Sequence, residues 1–107
     1  MKSWELENIE NAAKENPETF FIPSKVERRN QKAGDEVRLH FILKNPTSDQ
    51  ARAERMWVSI THQRSLFSKK YKGLLTSNPV YIKDLKAGDE IEFEAKHIAR
   101  TLIKKGH

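Results

Sequence analysis

Apolar and polar residues alternate over two stretches of this chain. Val37, Leu39, Phe41 and Leu43 fall on one side of an extended backbone, and Arg38, His40 and Lys44 on the other, with Ile42 the one apolar exception. Ile91, Phe93 and Ala95 alternate in the same way with Glu90, Glu92 and Glu94. Between them, residues 52–61 read as a strand. Its Met56, Val58 and Ile60 share a face with Glu54, while Arg55, Trp57, Ser59 and Thr61 share the other. Residues 71–76 make another strand, in which Gly73 marks a bulge or the close approach of a second backbone. Turns are expected at residues 45–49 and at Asn78-Pro79, and Val80-Tyr81-Ile82 is a short apolar step. Residues 62–70 form a polar, basic hairpin loop around Leu66-Phe67.

The helical period occurs near the N-terminus. Ser3 can cap a helix running to about Asn16, with Leu6, Ile9 and Ala13 as its narrow apolar stripe and Trp4 off that stripe. Asn16-Pro17 ends it, because proline pushes the preceding residue out of the α region. So short a helix is marginal alone and must dock on the body or on a partner. Thr19 to Pro23 is a short extended segment. Ser24 and Glu27 match a capping box for a second helix from Lys25 to about Gln31, closed by Gly34 in a left-handed conformation. The hexapeptide Lys86-Ala87-Gly88-Asp89-Glu90-Ile91 echoes residues 32–37, two copies of one way of starting a strand. Lys96 to His107 reads as a basic terminal helix or tail.

These elements predict a single α+β domain over residues 1–107. It comprises an acidic N-terminal helix (1–18), a core (19–98) and a basic end (99–107). The N-terminal helix and a short second helix pack on a four- to five-stranded antiparallel sheet, curled or closed into a small open barrel.

Composition narrows the chemistry. With 36% hydrophobic residues the core is small, and the absence of cysteine removes disulfides, thiolate zinc sites and a cysteine nucleophile. No run of about 18 apolar residues is present and the first residues lack a signal-type apolar region, so the expectation is a cytoplasmic protein with no membrane role. Charge is unevenly placed: residues 1–24 carry two lysines and five glutamates, net −3, and residues 25–107 carry 18 basic and ten acidic residues, net +8. A basic body suits an acidic protein or a nucleic acid, and equally suits plain solubility.

No nucleophile elbow, paired-histidine metal spacing or glycine-rich phosphate loop occurs, so no catalytic residue, metal or cofactor is expected. His40, His62, His97 and His107 read as structural or exposed. The segment 54–57 is the best site candidate. If Met56, Val58 and Ile60 face inward, Arg55 and Trp57 project together and offer stacking and bidentate hydrogen bonding in one patch. The alternative buries Trp57 beneath the N-terminal helix, with Glu54 and Arg55 as an ion pair. A second cluster, Lys69, Lys70, Tyr71 and Lys72 with Arg64 and Phe67, has the basic and aromatic character of a single-strand binding surface, or of a solvated loop.

Glu54-Arg55-Met56-Trp57-Val58, then Tyr71-Lys72-Gly73, Asn78-Pro79, the segment from Leu85 through Gly88-Asp89 to Phe93 and finally His97-Ile98 carry a family likeness over roughly residues 20–98. In them the chain resembles the YegJ-like family of small bacterial proteins of unknown function, itself similar to a group of immunity proteins in bacterial toxin systems. Glu54, Gly34, Gly73, Asn78 and Gly88 are the structural positions of this pattern. The residues themselves point to a non-enzymatic binding module that presents the Arg55/Trp57 face and the basic loop 64–72 to an acidic partner, and the resemblance implies that the partner is a protein. Single-stranded nucleic-acid binding through the same surface is the alternative, and an enzyme acting on a small anionic ligand the third reading. Oligomeric state is left open.

Overall fold

A computed structural model describes residues 2–102. The elements in chain order are β1 (Trp4–Leu6), α1 (Ile9–Glu15), α2 (Lys25–Arg29), β2 (Glu36–Leu43), β3 (Ala53–His62), β4 (Lys70–Leu75), β5 (Glu90–Glu94), a single 3-10 turn (Ala95–His97) and β6 (Ile98–Thr101). β2 to β5 form an antiparallel meander. β1 pairs with the last residues of β2, and β6 with its first residues. Because β5 passes through one short turn into β6, which returns to β2 at the start of the meander, the sheet curls into a nearly closed, barrel-like form. Sheet dominates, and the helical part of the expected α+β fold is two short helices.

On β2, β3 and β5 the inward residues are those the alternation selects; on β4 they are Tyr71 and Leu75. Val37, Leu39 and Phe41 of β2, Val58 and Ile60 of β3, Tyr71 and Leu75 of β4, and Ile91 and Phe93 of β5 are buried together. Both strands entered from a Lys-Ala-Gly-Asp turn start identically. Gly34 and Gly88 take φ of 98° and 92°, a region costly for any side chain. In each turn the Asp N–H donates to the Lys carbonyl, while the Asp carboxylate accepts from the Lys N–H at 2.8 Å (Asp35) or 3.0 Å (Asp89). Each glycine N–H then donates to the neighbouring strand, at Ile60 or Leu75. Gly34 therefore shapes a strand entrance; α2 has already ended, at Asn30.

Two terminal expectations are corrected. The first residues are a strand followed by a seven-residue helix: Trp4 is buried against Phe41, with ring centroids 5.2 Å apart. Asn8 caps the helix by accepting from the Asn11 N–H, and Ser3 instead bonds Asp84. Trp4 and Leu6 are two apart, as an alternating strand requires, while Leu6, Ile9 and Ala13 are spaced as on a helix; pairing with β2 decides for extension up to Leu6, and the helix begins only at Ile9. At the other end, residues 98–101 are a strand, with Ile98 and Ala99 buried; residues 103–107 of the expected tail lie outside the described residues.

The helices cover the corner between β5 and β6. Arg28, only 5% exposed, ties them down: its guanidinium pairs with Glu10 at 2.6 Å and donates to the carbonyls of Pro23 (2.9 Å) and Ala95 (3.2 Å). Ser24 accepts from the Glu27 N–H at 3.1 Å, and the Glu27 carboxylate turns instead to the Thr101 hydroxyl.

Candidate binding face

Strand register assembles the polar side of the sheet. On β2, Arg38 stands beside Trp57 of β3 and beside Arg100 of β6. Two residues further, His40 stands beside Arg55, and on its other edge the Glu7 N–H donates to the His40 carbonyl at 2.9 Å. Two rows result: Arg100, Arg38, Trp57, and Glu7, His40, Arg55. Period-two alternation turns them to one side, opposite the core.

Arg55 is exposed and Trp57 half-buried, while Met56, Val58 and Ile60 are buried. The extended geometry expected for residues 53–61 is therefore present, and the Trp57 ring is not sealed in the core. None of Arg38, Arg55 and Arg100 forms an ion pair among the described residues, although Glu5 and Glu36 border the patch. Burial, and then the charges of Arg100 and Arg55, push the Arg38 pKa down. A guanidinium stays charged regardless, so this direction reports first the partial burial of Arg38 and second the like charges beside it.

A cleft of about 160 Å³ opens in this face. Arg38, His40 and Arg55 supply its polar lining, and Thr19, Phe20, Phe21 and Ala99 complete it. Phe20 lies edge-on to the His40 ring at 6.0 Å, and Phe21 is exposed at the rim. The Glu7 carboxylate is 3.0 Å from His40 Nδ1. A carboxylate only accepts, so Nδ1 carries the proton. His40 Nε2 and Arg38 Nε are both buried and have no hydrogen-bond partner among the described residues. Burial is the main influence lowering the His40 pKa; Glu7 opposes it, and Arg55 and Arg38 add to it.

The second expected cluster separates from the first. Tyr71 is fully buried, stacked on Phe93 at 5.2 Å, with its hydroxyl donating to the Arg28 carbonyl at 2.8 Å, so it is a core residue and offers no stacking platform. Lys70 pairs with Glu92 at 3.2 Å, and Lys72 lies half-buried on β4 beside Glu92. Lys69 lies by Arg29, Arg64 and Lys96, with Glu10 and Glu94 among them. Arg55 lines the cleft of the outer face, whereas Arg64 and Lys69 line a different depression with Arg29 and Lys96. The two basic regions are thus two surfaces. Leu66 and Phe67 stand almost wholly in solvent at the loop tip, Phe67 at 97%.

The structural positions behave as their chemistry requires. Glu54 heads the inward face of β3 and accepts three backbone N–H groups, from Val80 (2.6 Å), Tyr81 (3.0 Å) and Ile82 (2.9 Å). Its partners are backbone donors, and no ion pair with Arg55 forms. A Cβ on Gly73 would meet Val58 Cγ1 at 2.5 Å and the Ser59 carbonyl oxygen at 2.6 Å, the close approach expected there. Asn78 accepts from the Ala87 N–H at 2.9 Å, fastening its loop to the second Lys-Ala-Gly-Asp turn.

Sequence reading overlooked Arg38, His40 and Arg100 as members of the face. The signal was present for the first two: they occupy the polar positions of β2, and hairpin pairing must set them beside the polar positions of β3. Arg100 was hidden because residues 96–107 showed no period of two.

Fold and face define a small barrel-like protein with a cationic, aromatic outer surface. The chain belongs to the family described as an uncharacterized protein conserved in bacteria (DUF2314), whose model matches residues 5–106. No curated protein and no solved structure matches it.

Proposed function

We propose that this chain is a non-enzymatic, cytoplasmic binding module whose docking face is the outer side of β2, β3 and β6, and that its partner is a protein with an acidic surface. The observation that carries this is the meeting of Arg38, Arg55 and Arg100, from three adjacent strands, with no carboxylate claiming any of them within ion-pair distance among the described residues. Half-buried Trp57 and exposed Phe21 supply apolar area next to them. Arginine and aromatic side chains together are the usual anchors of protein interfaces. Guanidiniums hold charge and do not transfer protons at neutral pH. An inhibitory, immunity-type role fits such a face, by analogy with the proteins the sequence resembles.

Nucleic-acid binding is the second reading, favoured by one observation: Phe67 stands free in a loop flanked by Arg64 and Lys69. One titration separates the two. A fluorescent Glu/Asp-rich peptide containing phenylalanine and a single-stranded oligonucleotide of equal charge are each titrated at low and moderate salt. The expected result is saturable peptide binding that weakens at least tenfold in the R55E/R100E variant and is unchanged in F67S. Peptide binding indifferent to R55E/R100E sinks the proposal. Oligonucleotide binding that is lost in F67S and falls steeply with salt establishes the second reading.

A further inference from the structure

Resting on that docking face, we propose that its cleft is a seat for one terminal phosphate monoester, with Arg38 and Arg55 holding the oxyanion and His40 Nε2 contacting it directly. A planar carboxylate presents two oxygens and one charge. The cleft presents two guanidiniums, with Arg100 adjacent, and an imidazole edge, so a tetrahedral dianion uses more of its donors. Its volume of about 160 Å³ accommodates a group of that size. His40 is 5% exposed and its Nε2 has no hydrogen-bond partner among the described residues, an open position that plain packing does not explain.

The fixed Nδ1–H to Glu7 bond gives the site a second property. In the free protein the groups facing His40 are Glu7 ahead of α1, Arg55 on β3 and Arg38 on its own strand, with the Phe20 ring against it. Burial and the two arginines favour the neutral ring. A dianion cancels the arginine charges and offers an acceptor at Nε2, so the ring takes up a proton and donates from both nitrogens, to Glu7 and to the phosphate. Binding at neutral pH is therefore coupled to the uptake of about one proton.

Isothermal titration calorimetry, in two buffers of different ionisation enthalpy, tests this with four probes: an acidic peptide carrying phosphoserine, the same peptide with glutamate there, inorganic phosphate, and sulfate. Sulfate is a dianion that does not itself titrate near neutrality, so any proton it brings in goes to the protein. The phosphoserine peptide is expected to bind at least tenfold more tightly than the glutamate peptide. Sulfate affinity is expected to rise several-fold between pH 7.5 and 6.5, up to tenfold for one linked proton, and H40Q is expected to abolish that rise while leaving the fold intact by circular dichroism. Binding of the phosphopeptide without inorganic phosphate assigns the source to a phosphorylated side chain; comparable binding of both assigns it to a free phosphate ester. Equal affinity for the two peptides with no proton uptake overturns this inference and leaves the acidic-partner reading standing. Failure of all four probes overturns both.

Discussion

Glu54 should be the costliest carboxylate in the protein to remove. Its Oε2 accepts the N–H groups of Tyr81 and Ile82, both partly buried, and Oε1 accepts that of Val80, which is more exposed. Hydrogen bonds to a charged group contribute about 1.5–3 kcal/mol each. The partial exposure of this loop argues for the lower end, and water can replace the bond at Val80. Two bonds at about 1.5 kcal/mol put E54A at about 3 kcal/mol destabilised. For a domain of this length about 4 °C of Tm goes with each kcal/mol, a fall on the order of 12 °C. E54Q keeps one carbonyl oxygen, which can serve Tyr81 and Ile82, but its amide nitrogen then faces the Val80 N–H; about half the loss is expected. Urea denaturation of wild type, E54Q and E54A gives the free energies, and hydrogen exchange should show the Tyr81 and Ile82 amides losing protection first in E54A. Two variants within 0.5 kcal/mol of wild type would refute the reasoning, because the carboxylate would then be a bystander to a loop held by Ile82 packing.

Other perturbations follow from the same contacts. G73A forces a methyl group against a backbone carbonyl that cannot rotate away, so destabilisation of about 2 kcal/mol is expected by chemical denaturation. R28M removes the clamp between α1, α2 and the 3-10 turn; about 2–3 kcal/mol is expected, and a double-mutant cycle with E10Q should show coupling near 1 kcal/mol because Glu10 is partly exposed. Acid should destabilise the protein in the range where histidine ionises. His40 and His97 are both held below their ordinary value of 6.5, chiefly by burial. His97 Nδ1 also accepts the Glu94 N–H at 2.9 Å, which a charged ring cannot do. Below pH 6.5 the unfolded chain therefore binds more protons than the folded one. Stability present above 6.5 is lost as pH falls through the folded-state values, and H97N, which retains an acceptor, should flatten the Tm profile between pH 7 and 5.

The legible part of this protein was whatever a period of two could encode. β2 to β5 lie within a residue or two of their expected positions, and the inward sets of β2, β3 and β5 were named apart from Ala95, which falls in the 3-10 turn, because one buried face forces alternation. The paired turns were legible because only glycine sits comfortably at the φ both adopt. The ends were not. Three-residue β1 is too short to show alternation, and β6 buries Ile98 in the core and the next residue, Ala99, against the outer cleft, beside a register shift between Arg38 and Leu39. Tyr71 misled because a tyrosine amid lysines looks like a surface aromatic. Its burial depends on the Arg28 carbonyl and the Gln31 N–H, 43 and 40 residues away. Arg55 and Trp57 were read directly, Arg38 and His40 were legible from the β2–β3 hairpin, and only Arg100 needed the return of β6 to β2.

The central claim is that the outer side of β2, β3 and β6 is where this module meets its ligand. Two-dimensional ¹H–¹⁵N NMR of the uniformly labelled protein, titrated with the acidic peptide, tests it most directly. The Trp57 indole N–H, the Arg38 and Arg55 Nε–H signals and the amides of Phe20 and Phe21 should shift together and saturate with one dissociation constant, while the Trp4 indole stays still. Shifts confined to residues 64–70, or a Trp57 indole that does not move at saturation, would contradict it.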